Sequence, residues 1–582
     1  MVNKPENQPA ALREARKATE DLLRQAAFFS LFVNLLMLTG PIYMLQIYDR
    51  VLSSRSFETL AVITLLTFGL FAAMAALDFA RGALLSRAGV AFEKKLQNLT
   101  FNFAMDAARI TGGMAERPLR DLRQIRQFVA SPALTAIFDA PWTPIFLLMV
   151  YLMHWLLGVV ATIGLLILLS LALLNERWSR KANEEAQKSV GRADTLAAET
   201  LRNASAADAM GMRGGLKKRW IAQSDFASDF AVSAVDRNGG LTAVSKATRL
   251  FLQSAILGTG AFLAIQQEVT PGVMIAASII TGRALAPIEV VTSQWRNFAA
   301  TGISYQRLKT FLAAGSDEKE KTALPAPAGK VEVERLFAQP INAKKPIVKG
   351  VSFRLGAGEA LGIVGPSAAG KSTLARALVG VERVISGDIR IDGASLDQWD
   401  RDALGPYVGY LPQEIELFAG SAASNIARFR EDANAEDIIA AAEAAGAHQM
   451  ILGLPDGYDT DIGDRGRLLS AGQKQRLGLA RALFGNPVLV VLDEPNANLD
   501  ADGDAALANA VQGLKSRGAT TVIVAHRPSA IAFVDKLLML QDGEMKAFGP
   551  RDDVLKKIAP GMVASFDANA KQRQGAGGGA AG

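Results

Sequence analysis

Residues 26–48 read AAFFSLFVNLLMLTGPIYMLQIY, without one charged side chain. In hydrocarbon every backbone N–H and C=O must find a partner within the chain, so a stretch this long and apolar folds as a bilayer-crossing helix. That requirement sets the fold class of the first half. A second uncharged run covers 60–77, and a third, 140–175, is too long for one span. It divides into two helices, about 137–154 and 156–174, at a tight turn near His154 and Gly158. A fifth span covers 250–267. The sixth, 273–288, is interrupted by Arg283, a charge that neighbouring helices or an aqueous cavity must shelter. Gly40 and Pro41 predict a kink in the first span.

Loop charge orients these six helices. The segment 78–131 carries Arg81, Arg87, Lys94, Lys95, Arg109, Arg117, Arg120, Arg123 and Arg126, and 176–249 is similarly basic. The turns at 154–158 and 267–272 hold no Lys or Arg. The positive-inside rule therefore puts both basic segments, both termini and everything after the sixth span in the cytoplasm. Arg50 and Arg55, in the first outer loop, fit this pattern less well. The net charge of +6 is explained by topology, so nucleic acid is not an expected partner, whereas the lipid bilayer is. Residues 1–25 are charged and show no small-residue cleavage site, so the first span should stay as an anchor. The basic segments read as helices, with Leu119, Leu122, Ile125 and Val129 spaced through polar sequence. Cysteine is absent, which excludes disulfides, thiolate metal sites and a cysteine nucleophile.

After a membrane domain at 26–312, residues 313–330 (AAGSDEKEKTALPAPAGK) lack an apolar period and read as a linker. From 331 to 565 the pattern changes to strands and helices in turn, and 566–582, glycine-rich at its end, reads as a flexible tail. The second half is organised around Gly365, Pro366, Ser367, Ala368, Ala369, Gly370, Lys371, Ser372 and Thr373. They fit G-x-x-x-x-G-K-[ST], whose backbone N–H groups close around a nucleotide's phosphates. A buried strand, 360–364, precedes this loop and a helix follows it, as phosphate binding at a helix N-terminus requires. Lys371 would reach the β/γ-phosphates of ATP, and the Ser372 hydroxyl would bind Mg²⁺.

Residues 488–494 (VLVVLDE) form an apolar run ending in two acids, the signature of a central parallel strand delivering carboxylates to its C-terminal edge. Asp493 would hold Mg²⁺, and Glu494 would polarise the attacking water. Gln413 follows another apolar strand and reads either as a Mg²⁺ or water ligand or as plain loop. Ser470 and the N–H groups near Gly472 form a second candidate anion-binding helix start, which taken alone is merely a capped helix. His526 follows the strand 521–525 and is placed to meet the γ-phosphate.

Together these motifs closely resemble the ATP-binding cassette of ABC transporters. On that resemblance 365–373 is the Walker A loop, Gln413 the Q-loop, and 469–473, with Ser470, Gly472 and Gln473, the signature motif. Residues 488–494 are Walker B, Asp500 ends the D-loop at 498–500, and His526 is the switch histidine. Residues 460–466 look like the exporter segment that contacts the membrane domain. Six helices fused ahead of one cassette is the half-exporter arrangement. The stretches 43–56, 138–146, 282–288 and 492–500 look like the type I secretion permease/ATPase family that exports proteases and related proteins. The resemblance implies a homodimer in the bacterial inner membrane, with ATP between the Walker A loop of one copy and the signature of the other. It also implies a periplasmic membrane-fusion adaptor, an outer-membrane tunnel protein and an unfolded secreted polypeptide. A lipid or small-molecule exporter of the same architecture is the alternative. Ala471 departs from the family's usual glycine, and Gln339 stands where an aromatic usually stacks on adenine. Tolerance is expected at Ala471, since Gly472 remains; the adenine contact stays open between Phe337 and loose base recognition.

Overall fold

The structure, a computed structural model, describes residues 9–111, 117–315, 324–340, 343, 345–463, 466–497, 501–525 and 531–558. The chain divides into two compact units: residues up to Glu318 without 108–113, and 108–113 with the residues from Lys319 onward.

Among the described residues the first unit is helical, and six of its helices are long and apolar enough to cross a membrane. The expected spans fall on them. Sequence reading missed how far several continue beyond the apolar run. The second span belongs to a helix of 55 residues, Phe57–Thr111, about 80 Å long at the usual rise. The fourth and fifth belong to Trp155–Arg202 and Arg213–Ile265, joined through the short helix Ala204–Ala209. The polar extensions carry much of the basic sequence already noted, and the first excursion also contains a separate amphipathic helix, Arg117–Val129. The kink in the first span lies upstream of Gly40: helix Ala10–Leu36 stops, and a new helix runs Thr39–Gln46. A proline ring clashes with the carbonyl four residues back, here that of Met37, and the chain breaks there.

His154 alone separates helix Thr143–Met153 from Trp155–Arg202, in an extended conformation (φ −164°, ψ 135°). Its Nδ1 accepts from Leu156 N–H at 3.2 Å, and its Nε2 lies 3.0 Å from Glu268 Oε2. The turn before the sixth span, Pro271–Ser293, is tied in turn to the first: Thr270 Oγ1 and Gly272 N–H donate to the Asp49 carboxylate at 2.7 and 3.1 Å. Glycine is required at 272, because a Cβ there would sit 2.6 Å from Asp49 Oδ1.

A buried charge cluster joins the first three spans. Arg81 is 5% exposed; it donates to Asp139 Oδ1 at 2.9 Å and Ser30 Oγ at 3.2 Å, while Asn34 Nδ2 donates to the same Asp139 oxygen at 2.7 Å.

In the second unit, strands β1 (Val331–Gln339), β2 (Val348–Leu355), β3 (Ala360–Val364), β4 (Arg383–Ile391), β5 (Ala394–Ser395), β6 (Val408–Leu411), β7 (Leu489–Asp493), β8 (Thr520–Val524), β9 (Lys536–Gln541) and β10 (Glu544–Pro550) form two sheets. The smaller, ordered β2-β1-β4-β5, is antiparallel. The larger runs β10-β9-β3-β8-β7-β6 and is parallel except at β10. β7 and β8 are buried at every position, as strands covered on both faces must be. Register aligns Ile363 with Val524 and Asp493 with Val524, so the loops after β3 and β7 leave the same edge on either side of β8.

Removing Arg81 would leave the half-buried Asp139 carboxylate without its cation, though still bonded to Asn34, which costs about 1–3 kcal/mol. Arg81→Ala should therefore lower the melting temperature of the detergent-solubilised protein, and Asp139→Asn in the same chain should restore part of the loss. Additive losses in that double-mutant cycle would show that the two side chains are not coupled.

Candidate nucleotide site

The loop after β3 turns on three left-handed residues. Gly365 has φ 153°, Ala368 φ 63° and Gly370 φ 97°. Gly365 admits no side chain, because a Cβ there would lie 2.0 Å from Leu540 O on the adjacent strand β9. Helix Lys371–Leu378 begins directly behind this loop, two residues earlier than the apolar pattern suggests. Pro366, Ser367 and Ala368 are exposed at the loop tip, while Ala369, Gly370, Lys371 and Thr373 are buried beneath it. Lys371 Nζ donates to Gly365 O at 3.0 Å and Pro366 O at 2.9 Å, so the ammonium is curled into its own loop. Burial pushes its pKa down, and the Glu494 and Asp493 charges partly oppose that.

Asp493 closes β7 at the same edge. Its carboxylate accepts from Ser372 Oγ at 3.0 Å, which brings together the two residues expected to share a metal ion. Burial raises the Asp493 pKa and the nearby Glu494 charge adds to this, while the Ser372 bond, Arg376 and Lys371 pull it back. Glu494 takes a left-handed backbone, φ 50°, and its N–H donates to Val524 O at 3.1 Å. The turn lifts the second carboxylate off the strand and anchors it to β8. Non-glycine residues held this way cluster at functional sites.

Gln413 lies exposed just beyond β6, the strand paired with β7. Hydroxyl, carboxylate and amide oxygens are the hard donors that suit Mg²⁺. Among the described residues no group of three or more His, Asp or Glu is arranged to hold a metal. The donor set therefore fits an ion that arrives with the nucleotide's phosphates. Sequence reading missed Tyr410 on β6, half-buried beside Asp493, whose phenol is pushed up to about 12 by burial and by that charge. The signal was only the position of Tyr410 three residues before Gln413.

Ser470 caps helix Ala471–Leu483. Its Oγ accepts from Gln473 N–H at 3.3 Å, and Gln473 Oε1 accepts from Ser470 N–H at 2.8 Å, a complete capping box. Gln473 thus folds back onto its own helix, leaving Ala471 and Gly472 N–H groups as the outward donors. Further along, Gln475 is buried and its Nε2 donates to Pro495 O at 2.7 Å, linking this helix to the segment after Glu494. Asp500 and His526 lie outside the described residues. Gln339, at the end of β1, donates to Ala343 O, and Phe337 packs near Gly350.

The membrane unit holds a cavity of about 370 Å³ whose lining includes Asn34, Asp78, Arg81, Asp139 and Arg283. Arg283, expected to need shelter, lines this cavity and is exposed within the single chain.

The ABC transporter family matches residues 348–497, and the ABC transporter transmembrane region matches 24–283. Over 94% of its length the chain is 44% identical to the type I secretion system ATP-binding protein PrsD of Rhizobium meliloti, covering 94% of that protein. It is 30% identical to the cyclolysin secretion/processing ATP-binding protein CyaB of Bordetella pertussis, over 94% of this chain and 77% of that one. The leukotoxin translocation ATP-binding protein LktB of Mannheimia haemolytica is 27% identical over the same shares. A solved bacterial Atm1-family ABC exporter with ATP bound superposes with a TM-score of 0.79 at 22% identity, over 95% of this chain and 98% of that one, a likeness of fold.

Because burial disfavours its charged form, Asp493 contributes stability below its unfolded pKa and loses it as pH rises through the raised folded value. Asp493→Asn should remove this dependence, so the ligand-free variant should melt higher than the parent at neutral pH. Its Mg²⁺-dependent ATP turnover should nevertheless fall by about a hundredfold or more. Thermal unfolding between about pH 4 and pH 7 and a steady-state ATPase assay read the two effects separately.

Proposed function

We propose that this chain, which belongs to the ABC transporter family and to its type I secretion ATP-binding proteins, drives unfolded polypeptides across the bacterial inner membrane by hydrolysing ATP as a homodimer. The observation that carries the reading is a count. One chain supplies one phosphate loop with Ser372 and Asp493 joined at the sheet edge, one capped signature helix and six membrane helices. Each motif is half of a pair. The 44% identity with PrsD along nearly the whole chain supports the secretion branch over other exporters.

In this reading ATP lies between residues 365–373 of one copy and Ser470, Gly472 and Gln473 of the other. Lys371 leaves its loop carbonyls for the β/γ-phosphates, and Mg²⁺ is held by Ser372, Asp493 and Gln413. Glu494, raised off β7 by its backbone, orients the attacking water, with His526 at the γ-phosphate and Asp500 at the seam between copies. Binding closes the cassettes and hydrolysis reopens them, which converts chemical steps into alternating access. Residues 26–312 form the membrane domain, 313–330 the linker and 331–565 the ATP-binding domain, with both termini cytoplasmic. The cavity lined by Arg283, Asp78 and Asp139 would give a passing polypeptide charged groups that lipid does not. A periplasmic adaptor and an outer-membrane tunnel complete the path.

Glu494→Gln should lower turnover by about a hundredfold or more, the usual scale for a lost general base, and accumulate a closed ATP-bound dimer. Unchanged turnover would remove Glu494 from the mechanism, and full activity of a monomer would remove the dimer. A deletion strain compared with its parent should lose one or more secreted polypeptides. An unaltered secretome alongside ATPase stimulation by lipids or small amphiphiles would replace the polypeptide with the lipid or small-molecule reading.

A further inference from the structure

Arg428 follows the short helix Ala422–Ile426 at a sharp turn, where it and Phe429 both take left-handed backbone, φ 56° and 59°. Two such non-glycine residues in succession persist only where the surroundings over-determine them. Here the side chain supplies the determination. Nε donates to Arg481 O at 3.0 Å and Nη2 to Ala482 O at 3.1 Å. Nη1 donates to Gly405 O at 2.9 Å and to Val408 O at 3.0 Å.

These carbonyls belong to two elements with separate tasks. Arg481 and Ala482 form the last turn of helix Ala471–Leu483, whose final carbonyls lack partners within the helix and carry its negative end. The other end of that helix is the Ser470 cap. Val408 opens β6, the strand that leads to Gln413, and Gly405 belongs to the turn just before it. One guanidinium therefore joins the back of the signature helix to the base of the Q-loop strand. Its fork geometry suits four carbonyls at once, which a lysine ammonium cannot match. Burial and the neighbouring Arg481 and Arg430 charges bring its pKa down to about 10, so it stays charged at neutral pH. Among the described residues no carboxylate pairs with it, so the carbonyls alone offset its desolvation.

We propose that Arg428 is a positioning residue for the ATP site, which fixes the signature helix to the Q-loop strand so that the two move as one body when the cassettes close. The idea rests on the two-copy ATP site described above. It assigns Arg428 no contact with nucleotide. Loss of the fork should leave the phosphate loop intact and uncouple the signature that the same chain offers to its partner.

The test uses the full-length protein with Arg428→Lys, which keeps the charge, and Arg428→Ala, each alone and with Glu494→Gln. A fluorescent ATP analogue reads binding at the phosphate loop, steady-state assays read kcat and KM, and spin labels on one introduced cysteine read closure. Binding and KM should stay within about twofold of the parent, while kcat falls at least about tenfold in both variants and ATP-driven closure is lost. Guanidinium ion added to Arg428→Ala should restore part of kcat, and lysine should not substitute. Turnover and closure within about twofold of the parent in Arg428→Lys would overturn the proposal. So would parallel loss of analogue binding and closure in both variants, which marks a merely structural role. Failure of Glu494→Gln itself to close with ATP would instead overturn the two-copy reading, whatever the Arg428 variants do.

Discussion

The hydrogen bond from Ser372 to Asp493 is where the phosphate-loop motif and the acids that end β7 meet within one chain. It depends on strand order. β3 and β7 are both parallel to β8 and lie on either side of it, so the loops that follow them emerge side by side. Five-residue strands buried on both faces can carry polar groups only where they end, which is why the acids stand after a run of Val and Leu. The strain at Glu494 and the close packing of Gly365 against Leu540 follow from the same geometry, since both loops must turn sharply within one crowded edge. The raised pKa of Asp493 is a consequence of that crowding, and a divalent cation is the natural way to relieve it.

How much of this was legible depended on whether a residue's role was local. The phosphate loop, the Asp493–Glu494 pair and the apolar spans declare themselves over fewer than about two dozen residues, because loop conformation and bilayer thickness act at that range. The long helical extensions were not legible as such: Trp155–Arg202 is apolar all round at one end and mostly polar at the other, so no single period describes it. Arg428 and Tyr410 were invisible for another reason. Each acts through partners far away in sequence, carbonyls at 481 and 482 for one and a carboxylate at 493 for the other. Sequence reading placed Gln473 toward nucleotide, whereas the structure shows its side chain engaged in capping its own helix. The boundary of the last long helix was also misjudged, since Trp295–Gly315 continues past the start of the charged segment expected as linker.

The membrane unit obeys the same rule of satisfied polarity in a drier setting. Arg81 is tolerated because Asp139, Asp78 and Ser30 accept from it, with Asn34 also donating to Asp139, and Asp49 because the start of the sixth span offers Gly272 N–H and Thr270. These contacts connect spans that the chain itself leaves far apart, and so they select one packing among many that lipid alone would accept equally. Arg283 is the exception: it opens on a cavity, and among the described residues no carboxylate pairs with it.

The signature helix bears directly on the proposed two-copy site. Its start is already satisfied by the Ser470–Gln473 box, so an incoming phosphate gains only the Ala471 and Gly472 N–H groups unless it displaces that box. Ala471 is exposed, so its methyl, where a glycine is usual, packs against nothing in its own chain and is felt only by what docks there. An anion held loosely at such a cap becomes tightly held only when a second positive surface covers it. In the proposed dimer, Lys371 and the loop N–H groups of the other copy would be that surface. On that proposal the capping box would set a threshold: the helix would stay quiet in the open chain and commit only when ATP already sits on the opposing phosphate loop. Closure would then report nucleotide occupancy, and the rear of the same helix, pinned by Arg428, is where that report would enter the rest of the domain.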